Sequence, residues 1–565
     1  DPLNAVANGK LCMRCLDLPE AVNHPDRLKY PLRRTGERGQ DRWERISWDE
    51  AYDEITERVL AIKDEHGPES IVVVHGTGRN IGWQVPYFAS ACMETPNVST
   101  FGFTGFACYL PRMIGTSAKY GDMIIVDASQ AHPDRYANPD WQAPGVVLVW
   151  GNEPIKSNAD GFLGHWIVEA MKRGSELVVV DPRLTWLAAK AKYWLPLRPA
   201  TDAALAMAIA NVIDEEDLID HEFIDCWSYG YDAFIEGCRT MSVEQAADIC
   251  CLEAEDIRAA ARFIGSAKPC SLQWGLKLDQ QVSATPAGQA IMGIVGMTGN
   301  IDVPGGNLLM VDHAFNLALS TGSNWRFVPE DQRKMILGNN RYPMHAQGDV
   351  GNMAQEDVVL ETLESDGKLN DVGKDFPLKM FVLYSTNPIS NMATEAPRIY
   401  DAMVNHSEFN VDINYVLTPS AMAYCELVLP IAMGPERNSL RAWWWPLRVI
   451  RKASDRYYEC KTDEELVAEL CNRLNPDSPI PNNDIDWMNQ ILSESNTDLT
   501  FEELTKEVIV WPDWHYKKYE TGEVRYDGQP GFNTYTGRFE FTPVLFQQFN
   551  LPLVPYYEEP RESPV

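Results

Sequence analysis

The sequence predicts an α/β fold in which most of the sheet strands are parallel. From Ile46 onward, helical patterns alternate with short apolar runs, which is the arrangement typical of βαβ units. Residues 177–180, Leu-Val-Val-Val, are apolar throughout, as expected of a parallel strand that is buried on both faces. Asp181 and Arg183 follow this run. A carboxylate and a guanidinium therefore lie at the carboxyl end of a strand, where open α/β sheets bind their ligands.

The other elements are predicted in chain order from the same two patterns. Ser47 and Glu50 have the spacing of a capping box, which predicts a helix over residues 48–63. Apolar runs predict strands over residues 70–74, 147–150, 193–197, 380–383 and 426–430, and a helix is predicted over residues 203–213. Residues 312–373 are polar and have mixed patterns, so they are predicted to form long surface loops.

The composition is that of a globular enzyme with several domains. The 565 residues are enough for three or four domains, and 45% of them are hydrophobic. The net charge of −32 argues against nucleic acid as a partner, since a polyanion would be repelled. The longest mostly apolar run, residues 203–213, is much shorter than the about 20 residues that span a membrane. The sequence therefore predicts neither a nucleic-acid-binding protein nor a direct membrane span.

The twelve cysteines are scattered along the chain, which predicts reduced thiols rather than a disulfide framework. Cys12 and Cys15 form the only C-x-x-C pair, and no second pair has the spacing of a zinc module. His75 begins a His-Gly-Thr-Gly-Arg segment after a predicted strand. The third glycine of a dinucleotide fingerprint, Gly82, is one residue too far along. An NAD-dependent dehydrogenase is therefore discounted.

A second group of polar residues follows another predicted strand. The apolar run of residues 193–197 leads to Arg198, Thr201 and Asp202 at the start of the helix predicted over residues 203–213. Backbone N–H groups at a helix start favour phosphate, and a carboxylate accepts hydrogen bonds from adjacent N–H donors. These residues suit a ligand that carries both phosphate and a base with such donors, and guanine is such a base.

Residues 181–185 and 198–205 resemble the D-P-R-x-T and L-R-P-G-T-D-x-A-L motifs of the molybdopterin oxidoreductases, the dimethyl sulfoxide reductase superfamily. The chain departs from the second motif at one position, with Ala200 where glycine is usual. Further segments similar to the family occur along the chain in the family's order, at residues 24–31, 42–50, 147–152, 299–307, 384–388, 418–420 and 531–538. Within the family, the chain most resembles acetylene hydratases and anaerobic catechol dehydroxylase-like members.

The resemblance implies two Rossmann-like, doubly wound α/β domains, one inserted in the other, each holding one pterin nucleotide. It places the first domain at residues 46–130 and 375–545, and the second at residues 131–374. Residues 1–45 are expected to be the remnant of an iron–sulfur domain, and residues 546–565 the start of a linker to a C-terminal β-barrel domain. The chain is accordingly expected to be an internal fragment of a longer catalytic subunit.

The family binds bis(molybdopterin guanine dinucleotide) with Mo or W, and most members carry a [4Fe–4S] cluster. Cys12 resembles the fourth cluster ligand, with Arg14 as the basic residue between cluster and pterin. The cofactor-binding residues that the resemblance implies are Arg14, Gly151, Asn152, Asp181, Arg183, Thr185, Arg198, Thr201, Asp202, Gly275, Ser385, Asn387, Asp412 and Thr418.

The metal usually takes one protein ligand from a loop after the first strand–helix units. Cys108 is the best candidate in this chain, because a thiolate is soft enough for the metal, and Ser99 is a weaker one. The alternative is that Cys108 is a buried structural thiol. The residues expected to line the substrate pocket and to act there are Tyr109, Arg112, His75 and Arg79. For His75, a proton donor and an ordinary hydrogen-bonded histidine at a strand end both remain open.

The resemblance implies a Mo or W oxidoreductase of anaerobic respiration, whose catalytic subunit reduces a small organic or oxyanion substrate. Electrons would come from an iron–sulfur chain in a partner subunit. Two alternatives remain open: non-redox hydration at a tungsten-bound water, and a catalytically inactive structural relative. The presence of Asp181, Arg183 and Asp202 argues against the inactive relative.

Overall fold

The structure is a computed structural model. It describes residues 4–7, 9–11, 13–76, 84–99, 110–122, 124–157, 163–309, 327–346, 353–392, 395–441, 447–478, 480–493, 497–511, 513–561 and 563, without the side chains of Met13, Arg14 and Pro86.

The strands of the described part are β1 (Leu32–Arg34), β2 (Trp43–Arg45), β3 (Ile71–His75), β4 (Val98–Ser99), β5 (Ile124–Val126), β6 (Val146–Trp150), β7 (Glu176–Val180), β8 (Tyr193–Leu195), β9 (Ser228–Tyr229), β10 (Cys270–Trp274), β11 (Asn307–Leu309), β12 (Met380–Tyr384), β13 (Phe409–Asn414), β14 (Leu427–Pro430), β15 (Ser439–Arg441), β16 (Leu447–Ile450), β17 (Ile509–Val510) and β18 (Phe539–Glu540).

The α-helices there are α1 (Met13–Leu16), α2 (Leu18–Val22), α3 (Trp48–His66), α4 (Gln84–Tyr87), α5 (Leu110–Tyr120), α6 (Leu163–Lys172), α7 (Asp202–Glu215), α8 (His221–Trp227), α9 (Tyr231–Cys238), α10 (Val243–Cys250), α11 (Ala254–Ser266), α12 (Ala284–Met297), α13 (Glu330–Arg333), α14 (Pro343–Ala346), α15 (Glu356–Glu364), α16 (Pro388–Asn391), α17 (Ala396–His406), α18 (Pro419–Tyr424), α19 (Asp463–Leu474), α20 (Asp484–Ser493), α21 (Phe501–Glu507), α22 (Lys518–Thr521) and α23 (Val544–Gln548).

The larger sheet has seven strands in the order β2-β1-β14-β13-β12-β3-β4. The five strands from β14 to β4 are parallel, whereas β1 pairs antiparallel with β14 and with β2. In this register Tyr384 lies opposite His75 and Leu383 lies opposite Asp412. Residues that follow β3, β12 and β13 therefore meet at one edge of the sheet.

A second sheet has four strands in the order β10-β6-β7-β8, and all of its pairs are parallel. Trp150 lies between Trp274 and Val180 in this register. The residues that follow the three strands, Gly151, Asp181 and Gly275, consequently lie side by side. This edge positions the candidate site.

The parallel strands of both sheets are mostly buried, which agrees with the apolar runs of the sequence. Every residue of β6 and β12 is buried. Helices α7 and α12 pack with the four-stranded sheet in one core, and α12 is buried at nearly every position. The expected mixed fold of mostly parallel sheet is thus present. The boundaries proposed for the domains remain a prediction, and β1 and β2, within residues 1–45, extend the seven-stranded sheet.

The predicted capping box of the first long helix is confirmed. The Glu50 backbone N–H donates to Ser47 Oγ at 3.2 Å, and the Ser47 backbone N–H donates to Glu50 Oε2 at 2.8 Å. Helix α3 begins at Trp48, as predicted, and ends at His66, three residues beyond the predicted end.

Two predictions are wrong. Helix α15 lies within residues 312–373, and its Val358, Leu360 and Leu363 pack in a core, so that this stretch is not all surface loop. The helix has only nine residues, which is too short for a clear helical period.

The second wrong prediction concerns the cysteines. Cys92 and Cys471 form a disulfide, with a Cα–Cα distance of 4.6 Å. They are 379 residues apart in sequence, so their spacing gave no indication of the pair. Among the described helices, none has both the length and the apolar character of a membrane span.

Candidate functional site

A cavity of about 410 Å³ opens at the carboxyl edge of the four-stranded sheet. Segments that follow β6, β7, β8 and β10 enclose it. We call it the strand-end cleft. Its lining residues are Gly151, Asn152, Glu153, Ser157, Asp181, Pro182, Arg183, Pro199, Ala200, Leu276, Lys277, Gln280 and Gln281.

Two glycines allow the strand ends to approach each other closely. Gly151 has a positive φ of 58°, and a Cβ atom there would lie 3.2 Å from Lys277 Cβ. A Cβ atom at Gly275 would lie 2.1 Å from Asn152 Nδ2. The side-chain amide of Asn152 donates to the Trp274 carbonyl at 3.0 Å, which joins the turns after β6 and β10. The predicted cofactor residues Gly151, Asn152 and Gly275 are thereby brought together.

The turn after β7 presents a cation to the cleft. The buried carboxylate of Asp181 accepts a hydrogen bond from the Arg183 backbone N–H at 2.8 Å. The Arg183 side chain is 72% exposed, with Nε 3.5 Å from Asp181 Oδ1. Thr185 caps the following turn, because its hydroxyl accepts from the Ala188 backbone N–H at 3.0 Å. Asp181 therefore shapes the turn, and Arg183 is left accessible to an anionic ligand.

Arg198 contacts the end of the chain. Its guanidinium donates to the Glu559 carboxylate at 2.6 and 2.9 Å and to the Ile249 carbonyl at 2.8 Å. The Arg198 hydrogen bonds lower the pKa of Glu559 to about 2. The buried Thr201 hydroxyl donates to the Arg198 carbonyl at 2.6 Å. Between these two residues Ala200 has a φ of +67°, the left-handed conformation that favours glycine. Ala200, which stands where the family motif usually has glycine, therefore has a strained backbone conformation.

Asp202 lies fully buried at the start of α7, and both of its oxygens have donors. Trp150 Nε1 donates to Asp202 Oδ1 at 2.8 Å, and Lys277 Nζ lies 2.7 and 2.6 Å from the two oxygens. The expectation that Asp202 accepts from a guanine base remains a prediction. Lys277 was not singled out from the sequence, and only the fold brings it to a carboxylate 75 residues away.

Three other acceptors of the strand-end cleft have no donor among the residues that the structure describes. Asn152 Oδ1, Glu153 Oε1 and Gln281 Oε1 are buried without a hydrogen-bond partner in the described part of the chain. Buried polar groups are normally hydrogen-bonded, so three such acceptors in one cavity indicate a ligand that brings N–H or O–H donors. Neither Glu153 nor Gln281 was predicted from the sequence. Glu153 follows Asn152 directly, which was an available indication, whereas Gln281 carries no motif.

The polar residues in and after β13 contact one another instead. Asp412 is buried and accepts from the Thr418 hydroxyl at 2.9 Å and from Asn414 Nδ2 at 3.2 Å. Burial raises the pKa of Asp412 to about 7. The Thr418 hydroxyl also accepts from the Ala421 backbone N–H at 3.0 Å and caps α18. Asp412 and Thr418 are therefore parts of one hydrogen-bond network.

Ser385 and Asn387 lie beside that network, in the segment after β12. Ser385 has a positive φ of 51°, and its buried hydroxyl has no hydrogen-bond partner among the described residues. Asn387 Oδ1 accepts from the Ser420 hydroxyl at 2.7 Å. The four predicted cofactor residues of this sheet thus cluster at one edge.

His75 ends β3, next to Tyr384. Its Nδ1 lies 2.7 Å from the Gly76 carbonyl, which places the proton on Nδ1 when the ring is neutral. Burial lowers the pKa of His75 to about 4. The ring is consequently neutral at pH 7, with Nε2 as an acceptor, and its proposed catalytic role remains a prediction.

Arg112 is buried in α5 and donates to Asp279, with its backbone N–H 3.2 Å from Asp279 Oδ1. Its guanidinium lies 5.3 Å from the centre of the Trp274 ring. The structure thus places this predicted pocket residue in a buried ion pair, near the turn after β10.

Several predicted site residues lie outside the described residues: Cys12, Arg79, Cys108 and Tyr109. Arg14 is described only by its backbone in α1. Ser99 is buried at the end of β4, and its hydroxyl has no hydrogen-bond partner in the described structure. No group of three or more His, Cys, Asp or Glu side chains suited to a metal ion occurs among the described residues.

Comparison with known proteins identifies the family of the chain. Residues 27–473 match the family described as Molybdopterin oxidoreductase. The chain is 29% identical to the probable dimethyl sulfoxide reductase chain YnfF of Escherichia coli (strain K12), over 83% of this chain and 59% of that protein. It is 26% identical to acetylene hydratase of Syntrophotalea acetylenica, over 100% of this chain and 76% of that protein.

The fold is similar to a solved structure, acetylene hydratase from Pelobacter acetylenicus. The TM-score is 0.82 at 24% identity, over 98% of this chain and 75% of that chain. This likeness confirms the predicted class, a mixed α/β fold with mostly parallel sheets. The chain spans 59% of the length of the Escherichia coli relative. Because the family match covers most of the sequence, the chain belongs to the molybdopterin oxidoreductase family.

Proposed function

We propose that the chain is the cofactor-binding part of the catalytic subunit of a Mo or W oxidoreductase that holds bis(molybdopterin guanine dinucleotide). In this proposal it reduces a small organic or oxyanion substrate with electrons from an iron–sulfur subunit. The observation that carries the proposal is the strand-end cleft, in which buried acceptors without partners in the described structure lie beside the accessible guanidinium of Arg183. The pterin-bound metal supplies the electron transfer when the cofactor is present.

The residues of the strand-end cleft fit one nucleotide end of such a cofactor. Gly151 and Gly275 allow a ligand to approach the backbone closely. The exposed guanidinium of Arg183 is suited to a phosphate oxygen. The buried oxygens of Asn152 and Glu153 accept from the N–H or O–H groups that guanine and ribose carry. One cavity thus offers a cation for the phosphate of a nucleotide and acceptors for the donors of its base and ribose.

The second nucleotide is assigned to the edge after β12 and β13. Ser385 supports this assignment, because its buried hydroxyl has no partner in the described structure and its backbone is left-handed. Asn387, Asp412 and Thr418 form the surrounding hydrogen bonds. These residues would order the turn against which the nucleotide lies.

The metal and cluster ligands are proposed from the sequence. Cys108 is assigned as the Mo or W ligand, with Tyr109, Arg112 and His75 near the substrate, and Cys12 as a ligand of a [4Fe–4S] cluster. The buried Ser99 hydroxyl, close in sequence to Cys108, is the alternative oxygen ligand.

The test is a quantitative analysis of the purified protein for Mo, W, Fe and released GMP. The proposal predicts one Mo or W atom and two guanine nucleotides per chain after acid extraction. Protein from a host that cannot make the pterin serves as the control and should release none. Metal without any GMP would contradict the nucleotide assignment.

One comparison favours a second candidate function, a non-redox hydratase. The match to acetylene hydratase extends over the whole chain. Hydration of acetylene consumes water without net electron transfer, whereas reduction of an N- or S-oxide consumes two electrons. Two assays separate the candidates. A hydratase consumes acetylene, whereas a reductase oxidises a reduced dye when an N-oxide or S-oxide is added.

A further inference from the structure

Of the three acceptors in the strand-end cleft that have no partner among the described residues, Glu153 is the carboxylate. Its residue surface is 7% exposed, and its carboxylate oxygen Oε1 has no hydrogen-bond partner in the described structure. Gln281, 8% exposed, presents a second acceptor without a partner to the same cavity. A buried carboxylate is unfavourable unless donors reach it, so these acceptors point to a ligand that brings donors.

Lys277, the less exposed of the two cations that line the cleft, pairs with Asp202 and not with Glu153. Lys277 Nζ lies 2.7 and 2.6 Å from the two oxygens of Asp202. Trp150 supplies a further donor to Asp202 at 2.8 Å. Among the described residues, Asp202 is thus supplied with donors by the protein, whereas Glu153 Oε1 is not. Of the two carboxylates, Glu153 is the one with free acceptor capacity toward the cleft.

We propose that Glu153, assisted by Gln281, is the residue that recognises the donor groups of the bound nucleotide. This inference rests on the proposed function, since it assumes that the strand-end cleft takes one guanine nucleotide. A carboxylate prefers two adjacent donors, and a guanosine nucleotide has two such pairs. They are the two ribose hydroxyls and the N1–H with the 2-amino group of guanine.

Binding of GMP to cofactor-free protein tests the assignment by isothermal titration calorimetry. The probes are GMP, 2′,3′-dideoxy-GMP and IMP, with unsubstituted protein and the Glu153→Gln variant. The variant should bind GMP about ten- to hundredfold more weakly, since charge-assisted hydrogen bonds are lost. If Glu153 contacts the ribose hydroxyls, this difference disappears with dideoxy-GMP. If it contacts the guanine edge, the difference shrinks with IMP, which lacks the 2-amino group.

The matched control is Glu176→Gln, which removes a carboxylate at the opposite end of the four-stranded sheet. Glu176 is exposed at the amino end of β7 and pairs with Lys192 at 2.9 Å. This control should bind GMP as the unsubstituted protein does. Without nucleotide, Glu153→Gln should unfold at the same temperature or higher, because a buried unpaired charge is removed. A merely structural role for Glu153 would lower that temperature.

The outcomes separate the inference from the proposed function. Equal GMP affinity of the unsubstituted protein and Glu153→Gln overturns the inference and leaves the nucleotide assignment intact. Absence of GMP binding by the unsubstituted protein overturns both. If Glu153→Gln does not fold, the expectation for its stability has failed and the inference is rejected. Gln281→Leu provides the second test and should also weaken GMP binding.

Discussion

The carboxyl edges of the two parallel sheets carry similar residues but use them differently. At the four-stranded sheet, Asn152 and Glu153 have buried oxygens without partners in the described structure, next to a cavity of about 410 Å³. At the seven-stranded sheet, Asp412 and Thr418 bind each other, and Asn387 binds Ser420. A polar residue at a strand end is therefore equally able to face a ligand or to build the turn beside it. Its partners decide between these roles.

The two buried aspartates of these edges show the same contrast in electrostatics. Asp202 has a cation, Lys277, within 2.7 Å of each oxygen. Asp412 has only neutral donors among the described residues, and burial raises its pKa to about 7. Charge compensation therefore stabilises one edge, and protonation stabilises the other.

The largest expected effect tests the ion pair of the first edge. Lys277→Met leaves the buried Asp202 carboxylate without its cation and should lower the free energy of unfolding by about 3 kcal/mol. Lys192→Met, which breaks an exposed pair with Glu176, should cost less than about 1 kcal/mol. Urea unfolding of both variants measures the difference. Equal stability of the two would mean that the Asp202 pair does not stabilise the fold.

The second prediction concerns the pH dependence of the other edge. The pKa of Asp412 is raised from 3.8 to about 7, so the folded protein keeps a proton that the unfolded chain loses. Its contribution to stability is therefore lost as the pH rises from about 4 to about 7. Asp412→Asn should remove this slope and stabilise the protein at pH 8 by roughly 2 kcal/mol. The check is urea unfolding at several pH values, where an unchanged slope in the variant would contradict the account.

The smallest effect concerns the backbone after β8. Ala200→Gly relieves the left-handed conformation at φ +67° and should raise the free energy of unfolding by about 1 kcal/mol. Ala203→Gly, in helix α7, should lower it by about 1 kcal/mol. Thermal unfolding of the pair measures both signs. A destabilised Ala200→Gly variant would show that no strain is stored there.

Much of the fold could be predicted because buried parallel strands are apolar throughout. Residues 146–150, 176–180 and 380–384 illustrate this, and the polar residues after them mark the sheet edges. Helix α15 was missed because nine residues give too little periodicity. The disulfide of Cys92 and Cys471 was missed because only the fold brings the two residues together.

The site was predictable in position but not in the partners of its residues. Gly151, Asp181 and Gly275 follow adjacent strands, so their proximity results from parallel register. The sequence did not show that Lys277 would reach Asp202, or that Glu153 Oε1 would have no partner among the described residues. Both depend on contacts between segments that are distant in the chain or on side-chain packing, neither of which a local motif encodes.

The central claim is that the strand-end cleft binds one nucleotide of the cofactor. A crystal structure of the cofactor-loaded protein tests it most directly. The account predicts density for a guanine nucleotide in this cleft, with a donor about 3 Å from the Glu153 carboxylate and a phosphate near Arg183. A structure with both pterin nucleotides bound elsewhere and the cleft empty would contradict the claim.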